Sequence, residues 1–188
     1  MKRRHAAALT VLLTAAAVPA RAQGFISPFV GFDFGGDHAA FCATLLNCED
    51  KRLDWGVAFG AAGSVFGFEE EIAYSPDFFG RTGGADNSVL TVMSNLMLIV
   101  PAGPVRPYGI VGIGLIRPHN KFDATALDLS TNALGWDIGA GLNLFLTHSL
   151  GLRGDVRHLH TFEDVDLGVL SKDKLDYWRG SAGLTFRF

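Results

Sequence analysis

Residues 177–188 read Y-W-R-G-S-A-G-L-T-F-R-F, and their alternation decides the fold. Trp178, Gly180, Ala182, Leu184, Phe186 and Phe188 share one parity; Tyr177, Arg179, Ser181, Gly183, Thr185 and Arg187 share the other. A period of two is a strand with unlike faces. One face is apolar with aromatics at both ends, and the other is polar or small. A solvent-edge strand can alternate in this way. Aromatics at the two ends of one face suit a strand that meets lipid, because their rings sit well at both membrane interfaces.

The opposite end of the chain agrees. Lys2, Arg3 and Arg4 precede an apolar run from Ala6 to Val18, and Pro19-Ala20-Arg21-Ala22 puts small residues at −3 and −1 of a cleavage site. The pattern predicts a secretory signal peptide over residues 1–22, cleaved near Ala22, with residues 23–188 as the mature domain. Its apolar run is too short for a spanning helix. The competing reading is an N-terminal helix belonging to the fold. Cleavage leaves 166 of the 188 residues, enough for one domain. Four of the sixteen basic residues (Lys2, Arg3, Arg4, Arg21) leave with the signal, so twelve bases face nineteen acids, a balance of −7. Such a chain offers no footprint for nucleic acid. Cys42 and Cys48 lie close together in a polar stretch. In an oxidising compartment that spacing predicts a local disulfide, with two free thiols as the alternative.

Eight alternating segments run along the mature chain: 25–34, 52–63, 68–75, 88–100, 106–117, 134–144, 150–160 and 177–188. The gaps after the first, third, fifth and seventh are long and polar, including 118–130, and those after the second, fourth and sixth are short turns. An even number of strands with one loopy rim describes an all-β, eight-stranded antiparallel up-and-down transmembrane barrel, both termini on the short-turn side. Segments of about 10 residues suit a tilted crossing, and closure removes edges that lipid would not tolerate. A soluble lipocalin-like barrel would turn its large apolar residues inward around a ligand. Here the small and charged parity is the one that faces inward, and many of the 23 glycines lie on it.

Several stretches resemble a known family, the small outer-membrane β-barrel domain proteins of the OmpA/OmpX type without a periplasmic domain. They are Gly67-Phe68-Glu69 through Tyr74-Ser75-Pro76 with Phe78-Phe79, Arg106-Pro107-Tyr108-Gly109, Gly112-Ile113-Gly114-Leu115, Gly135-Trp136-Asp137-Ile138-Gly139-Ala140-Gly141 and Leu152-Arg153-Gly154-Asp155-Val156-Arg157. The C-terminal strand completes the set, its terminal Phe188 resembling the end signal of such barrels. The resemblance covers residues 23–188 and implies fold and location, the outer membrane of a Gram-negative-type cell. It implies no common chemistry, since fold alone does not give function.

The inward parity carries Asp54, Glu69, Glu71, Asp137 and Asp155 with Arg106, Arg153, Arg157 and Arg179. Buried charges must pair, so these residues predict a lumen charge network. An eight-stranded lumen is just wide enough to be filled by side chains; a narrow conduit whose charges select ions is the alternative. Glu70 falls on the outward parity, near the short turn, unless a bulge turns it inward. His158 and His160 fall outward near the loop rim, with Glu163 and Asp164 beyond them. Some outer-membrane lipid A hydrolases work from the lipid side with a Ser-His-acid set, but a nucleophile on this face is missing. No metal-ligand, phosphate-loop or zinc-protease motif is present, and no cofactor is expected.

The reading is a monomeric, non-enzymatic envelope or surface-interaction barrel; a narrow, porin-like channel for small solutes comes second and a lipid-modifying enzyme third. Expected partners are outer-membrane lipids, lipopolysaccharide and the barrel assembly machinery, which would read Trp178, Phe186 and Phe188. On the same register, Leu142→Arg on the outer face is expected to be costly and Gly141→Ser on the inner face much milder.

Overall fold

Every segment with a period of two forms a strand that hydrogen-bonds to both neighbours, and the ring closes. The computed structural model describes residues 22–35, 52–76, 78, 85–122, 127–130, 132–162 and 174–188. The signal segment, Cys42, Cys48, Glu163 and Asp164 lie outside them. The strands are β1 (Gln23–Phe34), β2 (Arg52–Ala62), β3 (Phe66–Pro76), β4 (Ala85–Ile99), β5 (Val105–Phe122), β6 (Leu127–Ser130), β7 (Ala133–Phe145), β8 (Leu150–Thr161) and β9 (Asp176–Arg187). All pairings are antiparallel, β9 returns to β1, and eight strands close the barrel.

The ninth strand is a departure from the sequence reading. The stretch 118–130, read as a polar gap, contains the end of β5 and the whole of β6, paired from His119↔Ser130 to Phe122↔Leu127. On its other side the β5 extension pairs with Ala85–Asn87 of β4. The backbone ladder therefore continues past the rim into a three-stranded projection. The four residues of β6, Leu127-Asp128-Leu129-Ser130, are too few for their alternation to stand out in a stretch that is polar overall, and so the sequence reading passed over them.

The register sets the barrel's geometry. The row that leaves β1 at Phe34 runs through Trp178, His158, Ile138, Val111, Leu96, Phe68 and Ala61 and returns to β1 at Gly24, ten residues away. A shear of ten on eight strands tilts them about 40° to the axis. The inward and outward parities are those read from the sequence in all eight strands. Trp55, Ile113 and Ile138 are 55%, 58% and 51% exposed, among a belt of outward Phe, Leu, Ile and Val. A belt of that extent is not tolerated in water, so its solvent is hydrocarbon.

Inner-face glycines make room for what fills the lumen. A Cβ on Gly112 would lie 2.5 Å from Asp137 Oδ1, and closer still to Asn95. One on Gly141 would lie 2.5 Å from Asp155 Cβ and 2.6 Å from Tyr108 Oη. A side chain at Gly141 therefore meets close neighbours on this inward face, a crowding that parity alone does not reveal.

Candidate functional site

The lumen holds a polar layer between two apolar ones. Towards the long-loop rim, Phe78, Val89, Met93, Ile116, Leu159 and Tyr177 pack together, with Phe78 and Tyr177 edge to face at 4.9 Å. Towards the short turns, Phe25, Met97, Ile99, Tyr108 and Ile110 do the same. Between them lie three arginines and six acids, and every strand that closes the barrel contributes a polar side chain to the layer.

Arg157 is the hub. Its Nη2 lies 2.9 Å from Glu69 and 2.8 Å from Glu71, its Nε 3.2 Å from Asp155 and its Nη1 3.5 Å from Asp137. Arg153 pairs with Glu69 through Nη1 and with Asp155 through Nε at 3.0 Å. β8 and β3 stand diametrically opposite in the ring, so both arginines span the lumen. Arg179 forms a second centre, 3.1 Å from Asp33, 2.8 Å from Asp54 and 3.1 Å from Glu71. Glu71 joins the two centres. Arg157 and Arg179 are each 1% exposed, and Asp54, Glu69 and Asp137 are fully buried.

Acids outnumber arginines, and hydroxyls and an amide take up the surplus acceptors. Tyr108 Oη donates to Asp155 at 2.6 Å, Ser181 donates to the same carboxylate at 2.9 Å, and Ser75 donates to Asp33. The Asn95 amide donates to Asp137 at 2.8 Å and accepts from Arg157 at 3.0 Å. Asp54 is the exception: its ion pair with Arg179 is off the N–H direction, and neither carboxylate oxygen has a hydrogen bond. Two bases and four acids from the inner parities thus meet at one level around Arg157, and this is what charges need when water is withdrawn.

Sequence reading missed Asp33 as a network member, although its inward parity on β1 was legible. It also placed Arg106 among these charges, and the structure does not. Arg106 lies below the layer at the short-turn mouth, its guanidinium 5.5 Å from the Phe145 ring beside Arg187, with no carboxylate partner among the described residues. Parity put it inside, but its position on β5 put it too low.

On the outer face no bulge turns Glu70 inward. It pairs in register with Phe59 and Ser94, and Ser94 Oγ lies 2.8 Å from both of its carboxylate oxygens. Phe66 and Phe68 lie below it on the outward parity of β3, and Ile72 and Tyr74 above. Glu70 is therefore near the middle of the apolar belt, not at its edge. Near the loop rim His158 Nε2 and His160 Nδ1 each lie 2.9 Å from Asp176, one on each carboxylate oxygen. The Trp178 ring lies against His158, tilted at 47° with centroids 4.8 Å apart, and Trp136 lies 5.8 Å from His160. Thr161 points inward and accepts the Leu175 N–H at 2.8 Å, so it supplies this face with no nucleophile. Trp178, Phe186 and Phe188 are all outward, with Phe188 83% exposed at the short-turn rim.

A closed barrel with an apolar belt outside and paired charges inside defines a membrane-spanning β-barrel. The chain belongs to the outer membrane protein β-barrel domain family, whose model matches residues 7–188. Solved structures agree on the fold. Neisserial surface protein A is 12% identical over 88% of this chain and 97% of its own, with a TM-score of 0.65. Ail, the attachment invasion locus protein of Yersinia pestis, is 12% identical over 89% and 99%, with a TM-score of 0.59. The N-terminal barrel of Pseudomonas aeruginosa OprF is 15% identical over 89% and 98%, with a TM-score of 0.56. No curated protein matches the chain.

Proposed function

We propose that this protein is a non-enzymatic barrel of the bacterial outer membrane, exported by a signal peptide cleaved near Ala22, with a lumen closed to ions and solutes. It works through its surface: lipid and lipopolysaccharide contacts along the belt, and the long-loop rim with its projecting β4–β5–β6 ladder. The observation that supports closure is the diametric reach of Arg153 and Arg157 to Glu69, between two apolar layers. An ion crossing this layer would have to part charges that have no water to replace their partners. Trp178, Phe186 and Phe188 face outward, where the barrel assembly machinery can read them, and the closed ring favours a monomer.

The test is single-channel recording of the purified mature protein in planar bilayers. Closure predicts no sustained conductance. Steady openings would overturn it and establish a narrow channel instead. Lipid A mass spectra from cells with and without the protein test the absence of catalysis; a changed acylation pattern would refute it.

A further inference from the structure

On the outer face of β1 to β4, two neighbouring rows of outward side chains differ in size. Pro28, Val57 and Ile72 form the lower row, and Trp55, Tyr74 and Leu90 belong to the upper one. The rings of Trp55 and Tyr74 meet edge to face at 5.8 Å and stand as a wall above the smaller row. Along these residues runs an open groove of about 640 Å³. It climbs as it goes, because a shear of ten over eight strands lifts every row towards the long-loop rim from β1 to β5. The groove therefore starts at Pro28, halfway up β1, and ends at Leu90 close to the rim. The upper row begins at Val30 and continues past Leu90 to Arg117 of β5, which is exposed on the same face. Four of the eight steps raise Arg117 by five residues, level with the end of β1.

We infer that this groove seats one acyl chain of lipid A, with a phosphate of the same lipid held at Arg117. The belt stands in hydrocarbon, and the groove occupies only the leaflet on the long-loop side. On the outer-membrane reading, on which this inference rests, that leaflet is lipopolysaccharide. A methylene group takes about as much room as a water molecule, roughly 30 Å³, so a chain of about 14 carbons fits within the groove. Arg117 supplies the charge complement at headgroup height. A guanidinium meets a phosphate with paired donors, and it attracts the two charges of a phosphomonoester more strongly than the single charge of a phospholipid diester. The site lies wholly outside the ring, so it does not depend on whether the lumen conducts.

The test follows Trp55 fluorescence of the mature protein in nanodiscs of brominated phosphatidylcholine, whose bromines quench a tryptophan they touch. Trp136→Phe with Trp178→Phe leaves Trp55 as the one reporter. Lipid A carrying both phosphates should displace the brominated chain and restore emission saturably at low mole fraction. Phosphatidylglycerol, or lipid A stripped of its phosphates, should need at least tenfold more. Arg117→Gln, and Val57→Phe to fill the groove, should each weaken lipid A binding at least tenfold, while heat-modifiable mobility on gels shows that both remain folded. In Trp55→Phe, where Trp136 and Trp178 report, emission should rise only in proportion to the lipid added. A merely proportional rise at Trp55 would overturn the inference, because it is dilution of the brominated lipid. So would a saturable rise at Trp136 and Trp178 as well, phosphatidylglycerol acting as strongly as lipid A, or folded variants that bind as the wild type does. A chain that never enters the nanodiscs would refute the outer-membrane reading along with the inference, whereas failure at Trp55 alone leaves that reading standing.

Discussion

Replacing Arg157 by Ala removes the one side chain that touches four carboxylates. Three of them keep another cation: Glu69 and Asp155 retain Arg153, and Glu71 retains Arg179. Asp137 loses its only ion-pair partner among the described residues and keeps the Asn95 amide. The loss is therefore close to that of breaking one buried pair, about 3–5 kcal/mol, and not four times that figure. The three tryptophans, Trp55, Trp136 and Trp178, all face outward and report on transfer from lipid to water without a label. Their fluorescence during guanidinium unfolding in lipid vesicles gives the free-energy difference from the shift in midpoint. The double variant Arg157→Met with Asp137→Asn removes the charge and its orphan together and should recover most of the loss. Arg157→Lys should fall between, since one ammonium cannot reach in four directions. A loss under about 1 kcal/mol for Arg157→Ala would refute the reasoning, because it would mean that water reaches these charges.

Further substitutions probe the register, the lipid face and the assembly signal. Ile138→Arg, near the middle of the outward run of β7, should destabilise by about 2–4 kcal/mol, and Gly141→Ala should also destabilise because its Cβ meets Asp155 and Tyr108; both are read by the same unfolding assay, and a neutral Gly141→Ala would contradict the inner packing. Glu70→Leu should stabilise the barrel by less than about 2 kcal/mol, since a carboxylate leaves the lipid face, while Ser94→Ala should cost roughly 1–3 kcal/mol through a lost charge-assisted hydrogen bond; a destabilised Glu70→Leu would mean that Glu70 holds more than Ser94. Phe188→Ala should lower outer-membrane levels more than Arg187→Ala does, measured by quantitative blotting of membrane fractions, and equal levels would remove Phe188 from the assembly signal.

Alternation alone carried much of this protein. A strand has period two, so each residue's face follows from its neighbours one and two positions away. Hence the inner placement of Arg153, Asp155 and Arg157, the outer placement of Trp178 and Phe186, and the order of long and short connections were all legible along the chain. The four-residue β6 was not, because Leu127-Asp128-Leu129-Ser130 is too short for its alternation to stand out from the polar residues around it.

What alternation leaves open is the height of one strand against the next. Sliding a strand by two residues preserves every inward and outward assignment, so sequence parity is the same for any even shear. Only the closed ring, in which eight hydrogen-bonded registers must agree, selects a shear of ten. That choice lifts Arg157 to the level of Glu69, Glu71 and Asp137 and leaves Arg106 below with Arg187. It also carries Glu70 to the middle of the belt. Which side each residue faces is a local property of a strand; which charges meet is a property of the whole ring, because partners such as Asp33 and Arg179 lie as much as 146 residues apart.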